Sequence, residues 1–262
     1  MIWLEAVGCE RDGQVVLDTV TMGVAQTELI VVEGGVASGK STLLEIAAVR
    51  RLPDRGTLWF AGRNVSTLQR ASLPFVRRNI GFATPDSLLL PDETALANVV
   101  LALAVRGESP NNAEAAARDA LALVGAEGLA ARRVGSLSSG QQRLISLARA
   151  IAGPPPLAIA DEPAAFADDD VRQRIVWALC AVRDAGAAVL CGTADDAFAA
   201  QMVEHGGRKI NLDQGRIVGA PAVGLVPAFT PAPISVDIAQ RVASSDADEG
   251  GVATSPATRG PA

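Results

Sequence analysis

The chain has 262 residues, 49% hydrophobic and 20% charged, enough for a large buried core in one or two domains. Lys+Arg 23 against Asp+Glu 29 leaves a net charge of -6, which speaks against a nucleic-acid partner held by broad charge attraction. Three scattered cysteines (Cys9, Cys180, Cys191) and one histidine (His205) exclude a disulfide framework and a zinc site, so the thiols read as reduced core residues. The start, MIWLEAVGCE, lacks the basic and apolar regions of a secretion signal, and no apolar run reaches the ~18 residues of a membrane span. A cytosolic location is expected, with membrane contact only through a partner.

In chain order, Ile2 to Val7, Val15 to Val24 and Glu28 to Glu33 read as strands from their β-branched content and flanking turns, suggesting an antiparallel start. Ser41 to Leu52 has helical spacing, with Leu43, Leu44, Ala47 and Ala48 on one face and Pro53 beyond its end. Thr57 to Phe60 predicts a short strand, Ser66 to Arg78 a helix interrupted at Pro74, and Asn79 to Ala83 another strand. Two Ala/Leu-rich helices between Thr94 and Gly125 are split by GESPNN, where Ser109, Pro110 and Asn111 supply turn and cap chemistry. Together with the next helix this block, about 86–150, reads as a helical subdomain. Helix Ser138 to Ile151 carries Arg143 and Arg149 as exposed positions. Strand Leu157 to Ala160, helix Asp169 to Asp184, strand Ala187 to Cys191 and helix Asp195 to Gly206 then alternate, which implies a parallel sheet. The ordered domain is expected over 1–219. Residues 220–262, rich in Ala, Pro, Gly and Ser, bury too little apolar surface to offset their ordering entropy and read as a mostly disordered tail.

Residues 34–41, GGVASGKS, fit G-x-x-x-x-G-K-[ST] between a predicted strand and a predicted helix. Gly34, Gly35 and Gly39 let the backbone curl so that amides face an anion. Val36, Ala37 and Ser38 complete the loop, Lys40 reaches terminal phosphates, Ser41 is a ligand for Mg²⁺, and Thr42 follows in the helix N-terminus. The plainer alternative is a Gly-rich turn opening an ordinary helix. Residues 157–162, LAIADE, place Asp161 to bind the metal and Glu162 to polarise water. An apolar strand ending in Asp-Glu also arises as a simple cap; the preceding phosphate loop favours the chemical reading.

With LSSGQQ at 137–142 ahead of that acidic strand, the chain resembles the nucleotide-binding subunits of ATP-binding-cassette transporters over about 215 residues. That resemblance implies an α/β P-loop fold with an N-terminal antiparallel β subdomain, a parallel-sheet core and a helical subdomain. It implies ATP and Mg²⁺ as ligands, and Ser138 and Gly140 on the γ-phosphate of ATP held by an opposite subunit. Asp168 would be the retained acid of the loop Ala165-Phe166-Ala167-Asp168. The partners implied are an integral-membrane permease and a second cassette, as homodimer or heterodimer, at the inner face of the cell membrane. The stretch RRNIGFATPDSLLLPDETALANVVLALAVRG is similar to the subgroup serving lipoprotein-releasing, macrolide-efflux or cell-division permeases.

Carried over residue by residue, the pattern departs at three places. Pro85 stands where the family has a Gln touching Mg²⁺, Ala194 where it has a γ-phosphate histidine, and Arg11 where an aromatic stacks on adenine. Arginine can stack on a base as a planar cation. His205 lies roughly 16 Å along the same predicted helix and does not replace the lost histidine. Two readings result: a Mg-ATP hydrolase subunit, or a hydrolysis-poor subunit acting as a nucleotide-gated partner in a heterodimer.

Overall fold

The computed structural model describes residues 1–86 and 88–219; the predicted tail, 220–262, lies outside the described residues. Strands β1 (Ile2–Arg11), β2 (Gln14–Val24), β4 (Arg55–Phe60) and β5 (Arg63–Asn64) form an antiparallel sheet in the order β2-β1-β4-β5. Two of its hairpins close through two-residue turns with both residues at positive φ, Asp12-Gly13 (52° and 77°) and Ala61-Gly62 (51° and 78°). These are the turns whose twist matches paired strands. The antiparallel start stops there: β3 (Leu29–Glu33) pairs in parallel with β8 (Ala188–Thr193) and β9 (Arg208–Asp213), at the centre of a second sheet.

That sheet runs β10-β9-β3-β8-β7-β6, with β6 (Ile80–Ala83), β7 (Leu157–Asp161) and β10 (Arg216–Val218); only β10 is antiparallel to its neighbour. Its central strands are buried on both faces, as a covered parallel sheet requires. Leu29 and Val31 of β3 face one core and Ile30 and Val32 the other; Ala158 and Ala160 of β7 likewise oppose Leu157 and Ile159. One core is shared with the antiparallel sheet and α1 (Lys40–Ala47). The other holds α3 (Ala95–Val105), α4 (Pro110–Leu123), α5 (Ser139–Ile151), α6 (Asp169–Asp184) and α7 (Asp196–Glu204). Helices α3 to α5 are inserted between adjacent strands β6 and β7, where the sequence predicts a helical block.

Several predicted elements differ. The first helix ends at Ala47: Val49 turns to φ 58°, its N–H reaches Ile46 O at 2.9 Å and Arg50 N–H reaches Glu45 O at 2.8 Å, a Schellman closure. The helix predicted over 66–78 is two 3₁₀ turns, Val65–Thr67 and Arg70–Ser72, and a short α2 (Leu73–Arg77), because Pro74 opens a helix and cannot continue one. Strands β9 and β10 were not predicted. Arg143 and Arg149 are half-buried, not exposed: Arg143 donates to Glu162 O and Arg149 to Leu88 O. All three cysteines are buried free thiols.

Candidate functional site

Every parallel strand delivers its C-terminal end to one edge of the sheet, and the chemistry gathers there. After β3 the chain curls through 34–39 into α1. Gly39 sits at φ 103°, and a Cβ there would stand 2.7 Å from Val16 O; at Gly34 it would stand 2.3 Å from Leu212 O. Both positions admit only glycine. Ala37 adopts the same left-handed region at φ 63°, at a cost of about 1 kcal/mol. Loop and helix meet at Lys40, whose Nζ donates to Gly34 O at 2.7 Å and Gly35 O at 2.9 Å and lies 3.5 Å from Glu162 Oε1. This cation is 6% exposed, so its environment is a set of carbonyls and one carboxylate rather than water. Above it, the first-turn amides of α1 have no intrahelical acceptor by geometry.

From β7 come Asp161 and Glu162. Burial pushes the Asp161 carboxyl above its usual value of 3.8 and Glu162 adds to the rise, while the Ser41 hydroxyl and Lys40 oppose it. Asp161 Oδ1 and Ser38 Oγ are buried with no hydrogen-bond partner. A carboxylate oxygen left orphaned beside Ser41 and below the phosphate loop fits a hard cation whose remaining ligands are phosphate and water. Glu162 stands at φ 46°, a strained conformation for a non-glycine residue. Its amide donates to Gly192 O at 2.8 Å and its carbonyl accepts from Arg143 Nη1 at 3.1 Å. Its Oε2 accepts from Ala194 N at 3.1 Å and Thr193 Oγ1 at 3.3 Å.

A glycine-rich loop opening a helix, an acid with one oxygen unpartnered and a held carboxylate occupy one sheet edge, and residues 17–165, spanning all of them, match the ABC transporter family. The chain belongs to the ABC transporter family. It is 36% identical to the lipoprotein-releasing system ATP-binding protein LolD of Cereibacter sphaeroides over 211 residues, 79% of this chain and 92% of that protein. It is 35% identical to the Fe(3+) ions import ATP-binding protein FbpC of Streptomyces avermitilis over 218 residues, 83% of this chain and 61% of that protein. Among solved structures, the dimeric bacterial ABC transporter cassette MJ0796 superposes with a TM-score of 0.76 at 29% identity, covering 84% of this chain and 97% of that one. The same cassette in a post-hydrolysis state bound to ADP and Pi gives 0.76 at 28%.

The cassette fold thus brings Lys40, Ser41, Asp161 and Glu162 together. Thr42 is buried in the first turn of α1, while Gly35, Val36 and Ala37 are exposed at the loop tip. The signature residues have other partners. Ser138 is the N-cap of α5, in a reciprocal box with Gln141, and Gly140 lies in its first turn against Val171. Asp168 caps α6, accepting from Val171 N at 2.8 Å. Pro85 lies in an exposed turn after β6, Arg11 leans toward Glu45 at 3.9 Å, and His205 caps the end of α7 beside Gln201 O and Trp177. Thr193 and Arg143, which touch Glu162 directly, went unrecognised in the sequence. Arg143 binds a backbone atom, which leaves no compositional trace; Thr193, next to Ala194 at a strand end, was readable only once Glu162 was known to face it.

Proposed function

We propose that the chain is the ATP-binding subunit of a transporter: it binds Mg-ATP in the loop 34–42, hydrolyses it with Glu162 as general base, and couples that cycle to an integral-membrane permease. The observation that carries this reading is the convergence of Lys40 Nζ and Glu162 Oε1 at 3.5 Å beside the orphaned, buried Asp161 Oδ1. Lys40, now satisfied by two loop carbonyls, transfers its hydrogen bonds to terminal phosphate oxygens. Ser41 and Asp161 would hold Mg²⁺, which offsets phosphate charge when bound. Glu162 accepts a proton as water attacks the γ-phosphorus and the bond to ADP breaks. Ser138 and Gly140, at the N-terminus of α5, complete the site of a second cassette. Among the described residues no helix is long and apolar enough to cross a membrane. In this reading the permease supplies the contact with the bilayer. The likeness to LolD supports a permease of the lipoprotein-releasing type.

A second reading draws on Pro85 and Ala194. Ala194 contributes only its amide to the site, 3.1 Å from Glu162 Oε2, and no side chain for the γ-phosphate. Removing one preorganised charge stabiliser typically costs ~10²–10³ in rate while binding persists. The chain would then act as a hydrolysis-poor partner lending Ser138 and Gly140 to a competent paralogue. Steady-state Mg-ATP hydrolysis by the purified chain separates the two, with Glu162→Gln as background and Lys40→Ala as the binding control. Turnover abolished in Glu162→Gln supports the first reading. Wild-type turnover equal to Glu162→Gln, with ATP bound, supports the second. Undiminished ATP affinity in Lys40→Ala defeats both.

A further inference from the structure

We infer that Thr193 is a positioning residue for Glu162, setting which carboxylate oxygen is free to take the proton. This rests on the reading of Glu162 as general base. Thr193 ends β8 and is 1% exposed, so its hydroxyl has no water to bond. A hydroxyl offers one hydrogen and two lone pairs. Asp195 N–H occupies a lone pair at 3.0 Å, which turns the single hydrogen toward Glu162 Oε2 at 3.3 Å. Ala194 N–H reaches the same oxygen at 3.1 Å. Oε2 is therefore tied twice, and Oε1, facing Lys40, is the oxygen left to act.

The turn that supplies these donors is itself anchored on two helices. Asp195 Oδ1 caps α7 through Ala197 N at 2.9 Å and Phe198 N at 3.1 Å. Its Oδ2 accepts from Arg172 Nη2 at 3.4 Å, on the first turns of α6. Moving Thr193 would break a helix cap and an ion pair, so the hydroxyl is fixed in place before any substrate arrives. In a chain whose next residue is Ala194, with no side-chain donor, this hydroxyl is the one side-chain hydrogen bond to Oε2 among the described residues. Among the described residues Lys40 from α1 pairs with the carboxylate and Asp161 at the end of β7 neighbours it, while Arg143 from α5 binds the Glu162 carbonyl; none is altered by changing Thr193.

The test uses the full chain with Thr193→Val, Thr193→Ser, Glu162→Gln and the Thr193→Val/Glu162→Gln double variant. Carboxyl ¹³C NMR of Glu-labelled protein at one fixed pH, with the Glu162 signal identified by its loss in Glu162→Gln, reads the hydrogen bond without requiring turnover. Thr193→Val displaces the Glu162 carboxyl signal while the other Glu signals stay in place, and Thr193→Ser restores it. In hydrolysis, Thr193→Val lowers kcat about tenfold at unchanged KM, and costs nothing further in the Glu162→Gln background. A Glu162 signal unmoved by Thr193→Val, or an equal loss of kcat in both backgrounds, overturns the inference. Should the valine variant not fold, Thr193→Cys, with a weaker donor, displaces the signal by less, and an unmoved signal there overturns it equally. Wild-type turnover in Glu162→Gln would instead overturn the general-base reading, while the Glu162 signal still decides the role of Thr193.

Discussion

Asp161 is 4% exposed and keeps one oxygen unpaired, an arrangement that serves a ligand better than it serves the fold. Burial raises its carboxyl pKa above the unfolded value, so the folded chain holds that proton more tightly than the unfolded chain does. The stability this contributes is complete below the ordinary value of 3.8 and is lost as pH rises through the raised folded value. Wherever pH exceeds that raised value, the nucleotide-free protein carries an ionised, poorly compensated acid. Asp161→Asn should raise its melting temperature at pH 8 by about 2–4 °C, with the advantage fading toward pH 4, and should abolish the further stabilisation given by Mg-ATP. Thermal melts from pH 4 to 8, with and without Mg-ATP, check this; a variant less stable than wild type at pH 8 contradicts it. Motif spacing was enough to single out Asp161, Lys40 and Ser41 in the sequence, because each lies at a fixed offset from a strand or helix end. The strain at Glu162 and Ala37 was not legible, since φ depends on where the flanking strands pin the chain.

At the scale of elements, α5 has two duties. Its N-terminus carries Ser138 and Gly140, and one turn on, Arg143 reaches back to the carbonyl of Glu162 at 3.1 Å. The helix that would touch a second cassette is thereby bonded to the strained residue of its own site. Arg143→Ala should lower kcat about tenfold while ATP affinity stays within about twofold, with a stability loss of about 1 kcal/mol; kinetics beside a binding isotherm measure the split, and an unchanged kcat would show the contact to be packing alone. Helices α3 to α7 were legible because capping residues and apolar spacing agree: Thr94, Ser109, Ser138, Asp168 and Asp195 each accept a first-turn amide. The β9-β10 hairpin escaped notice although Gln214 and Gly215, at φ 45° and 76°, form a two-residue turn of the same kind as Asp12-Gly13. Its importance is positional: Gly215 N–H holds Ser38 O at 2.9 Å and so braces the phosphate loop.

For the molecule as a whole, the edge of the parallel sheet exposes apolar side chains next to the chemistry. Val36 is 95% exposed at the loop tip, and Phe166 is fully exposed in the loop between Glu162 and α6. The related MJ0796 cassette is a dimer, and exposed apolar groups beside the site are candidates for such a contact in this chain. ATP-loaded Glu162→Gln protein should elute at twice the monomer mass in light-scattering chromatography at tens of micromolar, and Phe166→Asp should return it to monomer with ATP still bound. A monomer at every concentration would direct attention to a distinct partner cassette, in keeping with the second reading.

The sequence by itself determined the class of protein and singled out the candidate residues: a Gly-rich loop ending in Lys-Ser, an apolar strand ending in Asp-Glu and a capped signature helix are local patterns whose physics needs only a few consecutive residues. Tertiary structure alone decided that β3 leaves the antiparallel strands for the centre of the parallel sheet, that Gly215 and Leu212 close on the phosphate loop, and that Arg143, Thr193 and Ala194 converge on Glu162. Those contacts join residues far apart in the chain, several through backbone atoms that every residue type shares, so their identity became visible only when the strands lay side by side.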